Sequence, residues 1–316
     1  MKKPDRIALQ IMLQYRRRVN RLEDQTSRDL AREFAHLRRS VKQEMQVLKA
    51  NKVPYMAPYV YATQVEPTVT RKISRWSVGA DRTMAQLATE TARLGAEATD
   101  RAARAVTPVR SQTWTKVKTA GLLSGGLFAA GREAVRKVPG DLASRLRDLV
   151  GQAAGMAEQG FDWLMSKVGE VFGQAWNTLS RVVRTVAEQM FRRAQQEQRQ
   201  QTPVQAWRRC ANHETACFAC LMLEGTIYDR REDFGDHPNG RCFLMPMSSA
   251  DAQNDHAGRT WLENQDEETQ RRIMGKTRWE AWQNGEVTLD EMVDTVYDPD
   301  FGPIPHTVTL KELGLR

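Results

Sequence analysis

Four cysteines fall within the 33 residues from Cys210 to Cys242, and the other 283 residues contain none. They read Cys210-Ala-Asn-His-Glu-Thr-Ala-Cys217-Phe-Ala-Cys220, then 16 residues, then His237-Pro-Asn-Gly-Arg-Cys242. A Cys-x-x-Cys pair grips one metal ion from a single turn. A second His/Cys pair on a returning strand or turn completes the tetrahedron that zinc prefers. The spacing selects Cys217, Cys220, His237 and Cys242 as ligands, with Cys210 as an alternative to His237 or Cys242. His213 and His256 are further candidates. The plainer reading is a small core of reduced cysteines with His237 paired to a carboxylate. A closed four-ligand site has no position for substrate, so it staples a loop-rich segment rather than catalysing a reaction.

Cysteines held by metal belong to a reducing compartment, with a disulfide framework as the alternative. The start, Met1-Lys2-Lys3-Pro4-Asp5, is basic but leads into no apolar core of the signal-peptide kind, and no stretch has the length of apolar sequence that spans a bilayer. Both features predict an intracellular product. Hydrophobic residues make up 41% of the chain and aromatics 7%, which favours long polar helices over a thick sheet core.

Charge is split along the chain. Residues 1–205 carry 35 Lys and Arg against 19 Asp and Glu, whereas residues 206–316 carry 12 against 20. The clusters Arg16-Arg17-Arg18, Arg38-Arg39 and Arg71-Lys72 suit either a polyanion such as DNA or an acidic protein partner. Solvated helix faces explain the same residues without a partner.

Leu30, Phe34, Leu37, Val41, Met45 and Leu48 recur at steps of three and four and form one stripe of a helix. Pro54, Pro58 and Pro67, with Tyr55, Tyr59 and Tyr61 among them, predict an extended connection over 51–70. A helix is expected from Ser74 to about Val106. Eight glycines in 119–160 predict short helices and turns. A further helix spans Phe161 to about Gln201, and its glutamine-rich end, 195–201, reads as solvated. Residues 251–316 predict a small helical tail, with capping boxes at Thr288–Glu291 and Thr309–Glu312 and C-caps at Gly275 and Gly314. The expected fold is therefore mainly α. A basic helical region (1–118) is followed by a Gly-rich then helical region (119–205), together an elongated N-terminal part. A zinc-stapled α+β module (206–250) and an acidic tail (251–316) complete it.

Catalytic signatures are absent: the sequence has no phosphate loop, no His-Glu-x-x-His, no Gly-x-Ser-x-Gly and no dinucleotide fingerprint. Asp236-His237-Pro238-Asn239 admits a His-Asn type DNA nuclease in a zinc-stapled fold as the enzyme alternative. The same residues serve equally as a ligand followed by a turn. Trp207-Arg208-Arg209 and Arg278-Trp279 are read as buried anchors, with stacking on nucleic acid as the other use.

Cys217-Phe-Ala-Cys-Leu-Met-Leu-Glu-Gly-Thr-Ile-Tyr228, followed by Asp236-His-Pro-Asn-Gly-Arg-Cys-Phe-Leu-Met-Pro246, resembles the tailed-phage head morphogenesis family, the phage Mu F-like minor head proteins. Cys217, Cys220, Gly225, His237, Pro238, Asn239, Arg241, Cys242 and Pro246 match its pattern. Gly240 departs from it, because the family usually has a cysteine there, and Cys210 is the residue available to compensate. Segments within 180–207 and 273–314 look similar as well, so the resemblance covers roughly residues 180–316. It implies a low-copy structural head protein, a minor capsid protein present in several copies at the portal vertex of the virion and in the host cytoplasm during assembly, whose partners are portal, scaffold or major capsid protein and packaged DNA. The residues themselves add structural Zn²⁺, no catalytic set, no membrane span and, with no base-reading motif in view, DNA contact without sequence preference.

Overall fold

Long amphipathic stripes dominate the computed structural model, which describes residues 1–50, 57–118, 126–156, 159–213, 215–237, 240–298 and 302–315. Four long helices carry most of the chain: α1 (Lys3–Ala50), α3 (Glu66–Val106), α4 (Gly126–Ala154) and α5 (Gly160–Gln201). A one-turn α2 (Ala57–Val60) and a π-helical turn (Tyr61–Val65) lead into α3. Beyond α5 come β1 (Ala206–Cys210), α6 (Phe218–Met222), β2 (Ile227–Asp229) and β3 (Phe243–Pro246). Then follow α7 (Ala257–Glu263), α8 (Glu267–Met274), α9 (Lys276–Gln283) and the hairpin β4 (Val293–Asp298) with β5 (Gly302–Thr307). The chain is mainly helical with a small α+β part near its C-terminal end, as the sequence predicts. Among the described residues no helix is long and apolar enough to cross a membrane.

The helices divide between two compact units. One takes Asn20–Thr89 and Leu123–Ala187, the other Met1–Val19, Glu90–Leu122 and Glu188–Arg316. In the first of these, the α1 stripe from Leu30 to Leu48 is buried as its spacing requires. Phe34 lies 4.9 Å from Trp76 of α3 and 5.2 Å from Phe172 of α5, ring centre to ring centre. Lys72 reaches Glu44 at 2.6 Å, and Arg132 of α4 reaches Asp81 of α3 at 2.7 Å.

Two expectations fail in this unit, each for a physical reason. Of the extended connection predicted over 51–70, residues 57–70 are helical, while 51–56 lie outside the described residues. Pro58 is the second residue of α2, where a backbone N–H has no intrahelical acceptor, and Pro67 comes directly after the π-helical turn, whose Glu66 N–H bonds Tyr61 O, so the helix passes the proline through a local change of its ladder. Within the Gly-rich 119–160, one unbroken α4 replaces the short helices from 126 onward; 119–125 and 157–158 lie outside the described residues. Burial of Val135, Val138, Leu142, Leu146 and Val150 offsets the helix penalty of its glycines and of Pro139. Pro139 has no N–H for the carbonyl four residues back, that of Val135. The Ser77 hydroxyl of α3 donates to that carbonyl instead, at 3.3 Å.

In the other unit β1 is central, antiparallel to β2 and β3 in the order β2-β1-β3. The sheet is pinned to α5 by Gln195, whose amide donates to Leu244 O at 2.9 Å and accepts from Leu244 N at 3.1 Å. Gln198 accepts from Val117 N at 2.6 Å. The glutamine run read as a solvated helix end is therefore in part buried: Gln195 is 1% exposed and Gln198 0%. Gly95 of α3 meets α5 so closely that a Cβ there would lie 2.3 Å from Phe191 O, which requires glycine. Trp207 is fully buried and donates to Val204 O at 3.0 Å, an anchor as expected.

A separate apolar cluster of Phe218, Leu221, Leu262, Met274, Ala281, Val287, Leu289 and Met292 joins α6 to α7, α8 and α9. The predicted tail is helical through α9, and Gly275 takes a positive φ at the end of α8. Its last part is instead the β4–β5 hairpin. Both capping boxes form reciprocal bonds, Thr288 N to Glu291 at 2.7 Å and Thr309 N to Glu312 at 2.7 Å. They close turns that flank the hairpin, because Val293, Thr295, Val296 and Tyr297 are β-branched or aromatic residues that favour a strand over a further helix.

Candidate metal centre

β1 ends at Cys210, and a turn carries the chain to Cys217, which takes extended backbone angles as the N-cap of α6. Cys217 Sγ accepts from Cys220 N at 3.4 Å, the bond a capping serine would make, and this turns both thiols to one side. The loop after β2 returns Asp236 and His237 to the same place. Asp236 Oδ1 accepts from His237 N at 3.1 Å and Oδ2 from Cys242 N at 3.0 Å, while Gly240 N donates to His237 O at 2.8 Å. One carboxylate thus ties the loop to the start of β3.

His237 Nε2 lies 3.2 Å from Cys217 Sγ and 3.3 Å from Cys220 Sγ. Cys220 is shared by two groups able to hold a metal ion, Cys217–Cys220–His237 and Cys220–Asp236–Cys242. Cys217, Cys220, His237 and Cys242 line one cavity of about 10 Å³, together with Asn212 and Arg241 among others. That volume is about one water-sized sphere, which suits an ion and excludes an organic substrate. Asp236 does not line it. Its oxygens are taken up by the two backbone N–H groups, by Arg209 Nη2 at 3.3 Å and by Arg192 at 3.5 Å.

The surrounding electrostatics suit sulfur anions. Arg209 is 1% exposed and donates to Cys220 Sγ at 3.7 Å as well as to Asp236. Burial opposes ionisation of Asp236, but Arg192 and Arg209 outweigh it and hold the carboxyl below its ordinary range. A hydrogen bond from Cys220 pushes the Cys217 thiol down to about 4 against burial, with help from His237. Cys220 rises far above the usual thiol range, first through that same bond, then through Cys242 and burial.

Cys210 is not among the groups that come together. Neighbours on a strand face opposite ways, and Arg209 is the residue that faces the cluster. Burial pushes the Cys210 thiol upward, so it stays protonated. His213 is held by Glu224 at 2.5 Å and packs on Trp261, 4.4 Å between ring centres; His256 is exposed ahead of α7. Pro238 and Asn239 lie outside the described residues. Gly240 has no room for any side chain: a Cβ would meet the Asp236 carboxylate at 2.2 Å. Asp236, Arg192 and Arg209 were not anticipated as parts of this site. The only local signal was an acid placed next to His237.

The basic clusters are not uniformly available. Arg16 is 5% exposed and bonds Glu188 through both guanidinium nitrogens, at 2.7 and 2.9 Å, which removes it from any surface contact. Lys72 is engaged with Ser40 and Glu44, and Arg18 lies over the Tyr15 ring at 4.9 Å. Arg17, Arg38, Arg39 and Arg71 are exposed. A scan against protein-family models gives no match for this chain, and neither do searches of curated proteins and of solved structures.

Proposed function

We propose that Cys217, Cys220, His237 and Cys242 hold one structural Zn²⁺, and that the chain is a minor head protein of a tailed phage, working at the portal vertex. The observation that carries the metal is the single ion-sized cavity these four side chains line. Three sulfurs and an imidazole favour zinc over harder ions. Three thiolates around a divalent ion leave one excess negative charge, and Asp236 adds another; Arg192 and Arg209 offset both.

A closed site of this kind supports a structural role. His237 turns its Nε2 to two sulfurs, which leaves the ring badly placed to activate water and speaks against the nuclease reading. The head role rests on the resemblance running through Cys217–Tyr228 and Asp236–Pro246. It places the chain in the virion, in several copies and in contact with portal, scaffold or major capsid protein, after assembly in the host cytoplasm. Arg17, Arg38, Arg39 and Arg71 are the exposed members of the basic clusters that remain for packaged DNA.

Elemental analysis of protein kept reduced throughout tests the metal: about one zinc per chain is expected, and none would end the claim. Cys220→Ser should abolish the zinc and unfold residues 206–250 while the helices of Asn20–Thr89 and Leu123–Ala187 stay formed. Co-purification with portal protein tests the head role. DNA cleavage with Mg²⁺ or Zn²⁺ that disappears in His237→Ala would replace it with the nuclease.

A further inference from the structure

The hairpin formed by β4 and β5 is two-stranded, and its strands differ in how they meet their surroundings. Four consecutive β4 residues, Asp294 to Tyr297, are exposed on both faces, with Tyr297 73% and Val296 45% accessible, whereas Pro305 of β5 is buried. Thr295 stands opposite Pro305, and Tyr297 opposite Pro303. Proline has no N–H, so these pairs occupy the positions that make no bonds across the ladder. It follows that the N–H and C=O of Thr295 and Tyr297 point away from β5. Thr295 N accordingly donates to a side chain, Asp294 Oδ1, at 2.7 Å. At the same levels the outer edge of β5 presents prolines and has no N–H to offer. One edge is closed and the other is open.

Charge selects what suits the open edge. Between Arg278 and Lys311 the chain has no lysine or arginine, yet it carries Glu280, Glu286, Asp290, Glu291, Asp294, Asp298 and Asp300. A second copy is a poor occupant. In the antiparallel register centred on Val296, Asp294 would face Asp298 of the other copy, like charge against like. We propose that β4 is a docking edge for an extended basic segment of another protein, which adds as a third strand with lysine or arginine beside Asp294 and Asp298 and apolar residues beside Tyr297. This does not depend on the metal centre or on a role in a phage head.

The test uses the full chain and a short labelled peptide alternating lysine with valine, with a glutamate-for-lysine peptide as control. Fluorescence anisotropy should show binding of the lysine peptide alone. Thr295→Pro removes the outward N–H, together with the threonine side chain and the bond to Asp294, and should weaken binding about tenfold, the worth of one to two hydrogen bonds. Asp294→Asn with Asp298→Asn should weaken it too. Should Thr295→Pro fail to fold, hydrogen exchange on the unaltered protein gives the second reading: the Thr295 and Tyr297 amides should gain protection when the lysine peptide is added. Equal binding of the glutamate peptide, no protection of those amides, or no binding at millimolar peptide overturns the proposal. Concentration-dependent self-association that Thr295→Pro abolishes overturns it in favour of a second copy.

Discussion

Replacing Asp236 with asparagine keeps the shape of the side chain and removes its charge. Asp236 is fully buried and receives two backbone N–H groups and two guanidinium groups. Whichever oxygen becomes an amide nitrogen will then face an N–H donor. With zinc bound to three thiolates, the group formed by metal, ligands, Asp236, Arg192 and Arg209 is neutral; Asp236→Asn leaves it with one unbalanced positive charge. An uncompensated buried charge costs about 3–5 kcal/mol, and loss of a group that orients metal ligands typically weakens metal binding about 10–100-fold. Competition against a colorimetric chelator measures the second quantity, and urea denaturation of the zinc-loaded protein the first. Adding Arg192→Met should recover a good part of both, because it removes the surplus charge. If Asp236→Asn holds zinc within about twofold of the unaltered protein and unfolds at the same urea concentration, the charge balance argued for this site is wrong.

Ser77→Ala leaves the buried Val135 carbonyl without its donor and should cost about 1–3 kcal/mol; with Pro139→Ala present the N–H of residue 139 returns, and the same change should cost much less, whereas equal costs by Trp76 fluorescence would refute the substitution of one donor for the other. Arg199 is fully buried, burial pushes its guanidinium down to about 10, and its Nε and Nη1 have no hydrogen-bond partner among the described residues. Arg199→Met should raise stability by about 1 kcal/mol or more in denaturant titration, and a comparable loss would contradict this. Tyr15 donates to Glu97 at 2.7 Å; burial and then this bond raise the tyrosine above 10.0, and the bond lowers Glu97 below 4.5. The pair therefore stabilises the fold from about pH 4.5 to pH 10, fading below as Glu97 protonates and above as Tyr15 ionises, and Tyr15→Phe should flatten both limbs of a stability–pH curve. Arg38→Ala with Arg39→Ala should weaken DNA binding and lessen its dependence on salt if these exposed residues meet phosphates, and a filter-binding titration at two salt concentrations decides it.

What could be read from the sequence followed from short-range periodicity. The stripe from Leu30 to Leu48 is buried at the spacing that announced it, and the sulfur pair at Cys217 and Cys220 falls on one side of a turn as the motif requires. Signals that depend on distant partners were silent. Pro139 reads as a helix breaker until Ser77, far away in sequence, supplies the missing donor. Gln195 reads as solvated until Leu244 takes both its amide groups. Asp236 looks like an ordinary loop acid, because nothing near it in sequence shows that Arg192 and Arg209 will surround it. The hairpin was hidden by two good capping boxes, since a reciprocal Thr–Glu bond closes an isolated turn as readily as it starts a helix.

The unit that holds the cysteines draws on Met1–Val19 as well as Glu188–Arg316, and this fixes an order of events on the ribosome. At about 5–20 residues per second, the first helical turns wait roughly ten to thirty seconds before Glu188 is made. Through that interval the unit that buries Ala8, Met12, Tyr15 and Val19 has only Glu90–Leu122 of its later segments, and Arg16 lacks its carboxylate. The segments Asn20–Thr89 and Leu123–Ala187 are complete by then and can pack first. Until Glu188 and the residues after it have been translated, the nascent chain carries a sticky, basic helix still short of part of its unit, a natural target for a holding chaperone.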